Sequence, residues 1–145
     1  PDVCWLGLRG LRTLSVRMER HFASALRVAA WLEEQPGVAR VLYPALPSDP
    51  DHELWLDQFS GAPGLFSIEL APCDEAAYAR FIETLELFGL GASWGGFESL
   101  VLPAIPHDRR GLRSQPDEGR LVRFHIGLED PEDLIGDLSG ALEGI

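Results

Sequence analysis

The hydrophobic period changes along this chain, and that change decides its fold class. Between residues 11 and 32, Leu11, Leu14, Met18, Phe22, Leu26, Ala29 and Leu32 recur at spacings of three and four. Arg12, Arg17, Glu19, Arg20, Arg27 and Glu33 fill the opposite face, as an amphipathic helix requires. Pro36-Gly37 ends it. Val38 to Tyr43 reads as a short strand. Phe66, Ile68 and Leu70 then alternate with Leu65, Ser67 and Glu69, the two-residue period of a strand with one face in a core. Between these strands Pro44, Pro47 and Pro50 fit neither a helix interior nor a central strand, which predicts an irregular loop.

Asp74 caps a second predicted helix whose inner stripe is Tyr78, Phe81, Ile82 and Leu85. Leu87 to Gly91 and a glycine-rich stretch follow, then a short apolar strand at Ser99 to Leu102. Arg109 to Gly119 is polar and loop-like. Leu121 to Ile126 reads as a strand with Val122, Phe124 and Ile126 on one face and Leu121, Arg123 and His125 on the other, so Arg123 faces away from the core. The last helix has the clearest start signal: Asp130 as N-cap, Pro131 at the first helical position, and Glu132 and Asp133 against the positive end of the dipole. Its core face is Leu134, Ile135, Leu138 and Leu142. The order αββαββα predicts an α+β fold, a two-layer sandwich of a mostly antiparallel sheet with helices on one face. Trp5, Trp31 and Trp55 are read as packing residues.

The 145 residues suit one domain with one core. Twelve basic residues against 23 acidic ones give a net charge of -11, which argues against nucleic acid or an anionic membrane surface as partner. Every basic residue is Arg; with no lysine, a Schiff base cannot form on a side chain here. Cys4 and Cys73 lie far apart and form no C-x-x-C pair, which favours a reducing compartment, so the cytoplasm is expected. No apolar run approaches the ~20 residues of a membrane span. The N-terminus carries neither a basic n-region nor an initiating Met, which points to a fragment.

Gly91-Ala92-Ser93-Trp94-Gly95 satisfies G-x-S-x-G, and Asp117 or Glu118 and His125 follow in the order of a hydrolase triad. A nucleophile elbow, however, turns from a strand into a helix, and Gly96 and Pro103 oppose a helix. A dinucleotide fingerprint fails as well, because its third glycine would fall on Trp94. What remains is a glycine-flanked Ser and Trp where backbone could approach a ligand closely, or else a tight turn around a buried Trp. Arg123 cannot shed its charge and needs an anion, either an internal carboxylate or a ligand's, held bidentately. His21, His52, His107 and His125 show no i, i+4 pairing, which disfavours a metal site.

Arg9-Gly-Leu-Arg-Thr-Leu14, Phe88-Gly-Leu-Gly-Ala-Ser-Trp-Gly-Gly-Phe-Glu-Ser-Leu-Val-Leu102 and Val122-Arg-Phe-His-Ile-Gly-Leu-Glu-Asp130 closely resemble the C-terminal part of the pyridoxal-phosphate-dependent Cys/Met-metabolism, or trans-sulfuration, enzymes. Arg17-Met18, His21, Val41-Leu-Tyr-Pro-Ala-Leu-Pro47, His52, Trp55 and Gly64-Leu-Phe-Ser67 extend the likeness over essentially the whole chain. Trp94 points to the β-lyase members, since γ-synthases and γ-lyases usually place a smaller apolar residue there.

The resemblance implies that residues 1–145 are a single C-terminal small domain, with the domain that holds pyridoxal 5'-phosphate and the Schiff-base lysine lying outside it. It implies β-elimination of cystathionine to homocysteine, pyruvate and ammonia, as in methionine biosynthesis. Arg123 would clamp the substrate α-carboxylate, with Ser93 and Trp94 positioning the substrate beside it; no catalytic, cofactor-binding or metal-binding residue is expected in these residues. The partners implied are the amino-acid substrate, the N-terminal domain of the same enzyme and, at full length, three further copies in a homotetramer. Many relatives carry Tyr where Ala92 and Phe97 stand, which leaves related trans-sulfuration reactions open. A stand-alone carboxylate-binding module would explain the missing lysine, the glycines and Arg123 equally well.

Overall fold

The computed structural model describes residues 1–104 and 120–145. The stretch 109–119 read as a loop, with His107, Asp117 and Glu118, lies outside the described residues. Helix α1 (Asp2–Leu11) and helix α2 (Leu14–Glu33) come first, followed by strand β1 (Val38–Leu42), helix α3 (His52–Gln58) and strand β2 (Leu65–Leu70). Helix α4 (Glu75–Thr84), strands β3 (Gly89–Leu90), β4 (Leu100–Ala104) and β5 (Arg120–His125), and helix α5 (Pro131–Leu142) complete the order. The fold is α+β: a five-stranded sheet ordered β1-β2-β5-β4-β3, antiparallel except for the β3/β4 pair.

The register explains the core. Phe66 and Val101 sit opposite Phe124 on its two neighbouring strands, and Ile68 sits opposite Val122. These form one buried face, continued by Phe81, Leu134 and Leu138 from the covering helices and by Val28, Ala29 and Leu32 from α2. Phe124 is its centre, with Phe88 edge-on at 5.2 Å, Phe66 at 5.9 Å and Phe81 at 6.5 Å, separations at which aromatic edges meet ring faces. Both predicted caps form. Asp74 accepts the Ala77 N–H at 2.7 Å, and Asp130 accepts the Glu132 N–H at 2.9 Å with Pro131 opening α5.

Four expectations need correction. Helix α1 precedes the predicted first helix and breaks from α2 at Arg12-Thr13, so the apolar series starting at Leu11 belongs to two helices. The buried face of α2 is His21, Ser24, Ala25, Val28, Ala29 and Leu32, while Leu14 and Met18 are exposed. The cause is steric, because small residues let α2 lie close on β1 and β2, which larger side chains would prevent. Trp5 is not a packing residue; α1 buries no side chain, and Trp5 is 61% exposed. Helix α3 follows the proline segment at a point where no helix is expected; its seven residues are all at least partly exposed, with Trp55 against Phe22 and His52, so it carries no core stripe to read. Together with the two-residue β3, these changes make the order ααβαβαβββα instead of αββαββα.

Candidate functional site

The site forms where the glycine-rich turn 91–99 lies over the end of β5. Strand β5 is paired on both sides, so its backbone is fixed, and Arg123 stands in register with Ser67 of β2 and Leu102 of β4 on the face opposite Phe124. Its Nη2 donates to the Ala92 carbonyl at 2.8 Å. Ala92 immediately precedes Ser93 and Trp94, so the structure brings the three sequence-predicted residues to one place. Among the described residues Arg123 meets no carboxylate, and its single hydrogen-bond acceptor is that carbonyl. A guanidinium has five N–H donors. A cation with donors to spare, on a rigid strand beside an exposed Ser93 and a Trp94 that is 60% exposed, is suited to a planar anion such as a carboxylate. The Trp94 ring is therefore an open wall and not the buried centre of a tight turn.

Gly95 shapes the turn. Its φ of 82° is the left-handed conformation that glycine takes without Cβ strain. Its N–H donates to Nε2 of His125 at 3.0 Å, and its carbonyl accepts from Nη1 of Arg17 at 3.2 Å. Arg17 also donates to the Gly10 carbonyl at 2.9 Å and the Thr13 hydroxyl at 3.4 Å, so one side chain joins the α1–α2 break to the turn. On the far side Glu129 closes the loop: its two carboxylate oxygens accept the Ser99 N–H and the Ser99 hydroxyl, each at 2.8 Å. Ser99 Oγ in turn accepts the Gly127 N–H at 2.8 Å, and Leu128 N–H reaches the Phe97 carbonyl at 2.7 Å. Only glycine fits at 127, because a Cβ there would collide with the Phe97 carbonyl and the Glu98 carbonyl carbon.

His125 is buried, and its imidazole is pushed below the ordinary histidine range, first by burial and then by His21 and Arg123; the Gly96 carbonyl and Glu129 pull the other way. His21 is buried beside it and points Nδ1 at the Ile126 and Gly127 carbonyls, 2.8 and 3.1 Å away. The hydrolase arrangement does not form. Residues 91–99 run through bends into β4 and not into a helix, and His125 Nε2 faces the Gly95 N–H. Arg17, His21, Ser99 and Glu129 were not legible as site residues, and His125 was singled out only for a hydrolase triad that does not form. His21 carried a signal as well, since it lies four residues before Ala25 on the buried stripe, where a polar side chain needs partners.

With no lysine in the chain, no side-chain amine here can form a Schiff base with an aldehyde cofactor, and the Arg123 donors are suited to a carboxylate.

Residues 1–143 match the family described as Cys/Met metabolism PLP-dependent enzymes. The chain is 49% identical to an L-alanine/L-glutamate racemase of Wolbachia pipientis over 96% of its length, 44% identical to cystathionine beta-lyase MetC of Escherichia coli over 99%, and 45% identical to cystathionine gamma-lyase of Mus musculus over 99%. It spans 35%, 38% and 37% of those proteins, little more than a third of each. A Campylobacter jejuni crystal structure described as an O-acetylhomoserine (thiol)-lyase, which holds N'-pyridoxyl-lysine-5'-monophosphate, superposes with a TM-score of 0.81 at 36% identity, over 96% of this chain and 31% of that one. Among the described residues no helix is long and apolar enough to cross a membrane.

Proposed function

Because the chain belongs to the Cys/Met metabolism PLP-dependent enzyme family, we propose that these residues are the substrate-closing C-terminal domain of a pyridoxal-phosphate-dependent carbon–sulfur lyase. The reaction is β-elimination of cystathionine, which breaks the Cβ–S bond, releases homocysteine and, with the uptake of one water, yields pyruvate and ammonia. The observation that carries the reading is Arg123, an ion on a doubly paired strand whose one hydrogen bond among the described residues is to the Ala92 carbonyl next to Ser93 and Trp94. In this role the guanidinium holds the substrate α-carboxylate by two parallel N–H···O bonds, Ser93 offers a hydroxyl to the same group, and the Trp94 ring excludes water from one side. The lysine and the cofactor chemistry belong to the part of the enzyme beyond these residues, and so does most of the contact that assembles a homotetramer. The exposed apolar side chains of α1, Val3, Leu6, Leu8 and Leu11 among them, are suited to packing against that part.

A related reaction on another amino acid is the second reading, supported by racemase and γ-lyase relatives at 49% and 45% identity, which fall within the 42–51% range of the β-lyase relatives. An α-carboxylate clamp serves all three. The test is to express the complete reading frame, record its visible absorbance and follow products from cystathionine. Pyruvate with homocysteine supports β-elimination; cysteine with 2-oxobutyrate moves the reading to γ-elimination, and a D-amino acid without ammonia moves it to racemisation. Arg123→Lys keeps the charge and loses the fork, so KM rises strongly while cofactor absorbance stays; an unchanged KM removes Arg123 from the site.

A further inference from the structure

Two buried histidines lie side by side beneath the turn that carries Ser93 and Trp94, their ring centroids 5.2 Å apart. Each has one nitrogen committed and one without a hydrogen-bond partner among the described residues. His21 Nδ1 faces two carbonyl oxygens, so it carries a proton and His21 Nε2 is left as a bare lone pair. His125 Nε2 faces the Gly95 N–H at 3.0 Å, so that nitrogen is an acceptor and the proton of a neutral ring sits on Nδ1, the second unpartnered atom. The two rings therefore meet by packing, with no hydrogen bond between them.

The consequence falls on the turn. The Gly95 N–H belongs to the Trp94–Gly95 peptide, so the acceptor on His125 sets the plane of the peptide that follows Trp94. Arg17 grips the carbonyl of the same residue at 3.2 Å, and Gly95 sits between them with its φ of 82°. The Gly96 carbonyl also lies near His125 Nε2, at 3.3 Å. The longer separation makes it the weaker partner, and it becomes the main one only if Nε2 gains a proton. We propose that His125, with its ring proton on Nδ1, is a positioning residue that holds Ser93 and Trp94 at the substrate through the Gly95 N–H, with His21 and Arg17 fixing the ring and the far side of the same glycine. The role rests on the reading of Ser93, Trp94 and Arg123 as substrate contacts, and His125 itself touches no substrate.

Two variants of the complete enzyme separate this from a packing role. His125→Phe keeps a ring and removes the acceptor; His125→Gln keeps an acceptor without the ring. Loss of one hydrogen bond that orders the turn raises KM about tenfold, the equivalent of about 1.4 kcal/mol, with kcat and cofactor absorbance little changed in His125→Phe. In His125→Gln the KM returns to within about threefold of the parent value. A parent-like KM in His125→Phe, or a glutamine variant no better than phenylalanine, overturns the proposal. A second measurement does not depend on turnover: ring-nitrogen NMR with labelled histidine on the same protein, assigned through the two variants, finds His125 Nε2 unprotonated and Nδ1 protonated at neutral pH. A proton on Nε2 overturns the proposal even in a fully active enzyme, and an unprotonated Nε2 supports it even if cystathionine is not the substrate.

Discussion

Replacing Glu129 by Ala removes the carboxylate that receives both the backbone N–H and the hydroxyl of Ser99. Ser99 is 1% exposed, so water cannot take over as acceptor. A hydrogen bond to a charged group contributes ~1.5–3 kcal/mol when made. Glu129 is half-buried, which places each of its two bonds near the lower bound, and their sum gives a loss of about 3 kcal/mol. Glu129→Gln retains one oxygen for the Ser99 N–H and turns its amide N–H₂ toward a hydroxyl oxygen that already accepts from Gly127, so the loss falls to about 1 kcal/mol. Urea unfolding at equilibrium reads both values as shifts of the midpoint at constant slope. Arg27 and Glu132 are the control. Their ion pair is 2.9 Å long but 61% and 62% exposed, so Arg27→Ala leaves the midpoint where it was. A Glu129→Ala loss below about 1 kcal/mol, or a glutamine variant as damaged as the alanine one, refutes the claim that burial of Ser99 makes this carboxylate matter.

Stability also depends on pH through His125. Its folded imidazole is held below its unfolded range, so its contribution is fully present above the ordinary histidine pKa and is lost as pH falls through the depressed folded value. Urea midpoints across mildly acidic pH therefore decline more steeply in the parent than in His125→Gln, and equal slopes count against the shift. Gly127→Ala drives a methyl group into the Phe97 and Glu98 backbone, which costs about 3 kcal/mol or prevents folding; circular dichroism during thermal melting detects either. Arg123→Lys raises KM in the complete enzyme and leaves the melting temperature nearly unchanged, because Arg123 bonds one carbonyl and no carboxylate among the described residues.

Local chemistry made much of the fold legible. Leu65–Leu70 alternates without a break and forms β2 with those bounds, and Val122 and Phe124 point inward as their spacing requires. Asp74 and Asp130-Pro131 cap helices because capping needs only the next three residues. The first helix differs from its periodicity in extent and in part of its phase, since Ala29 and Leu32 are buried as the spacing requires while packing adds residues small or polar enough for close approach, here His21, Ser24 and Ala25. The α1 stripe is apolar and yet exposed, so amphipathicity without a neighbouring element in the described residues did not produce burial.

The sequence by itself determined the fold class, the two capped helices and the strand that carries Arg123, while Ser93, Trp94 and Arg123 as one candidate site is what the family resemblance implies. Tertiary structure alone decided how that site is held. Arg17 reaches Gly95 across 78 residues, His21 reaches Ile126 across 105, and Glu129 reaches Ser99 across 30. No local pattern encodes such pairings, because a buried polar group is satisfied by whichever donor or acceptor the fold brings within hydrogen-bond distance. The same Arg, His and Glu side chains, at the same positions in another packing, would read as solvent-facing charges.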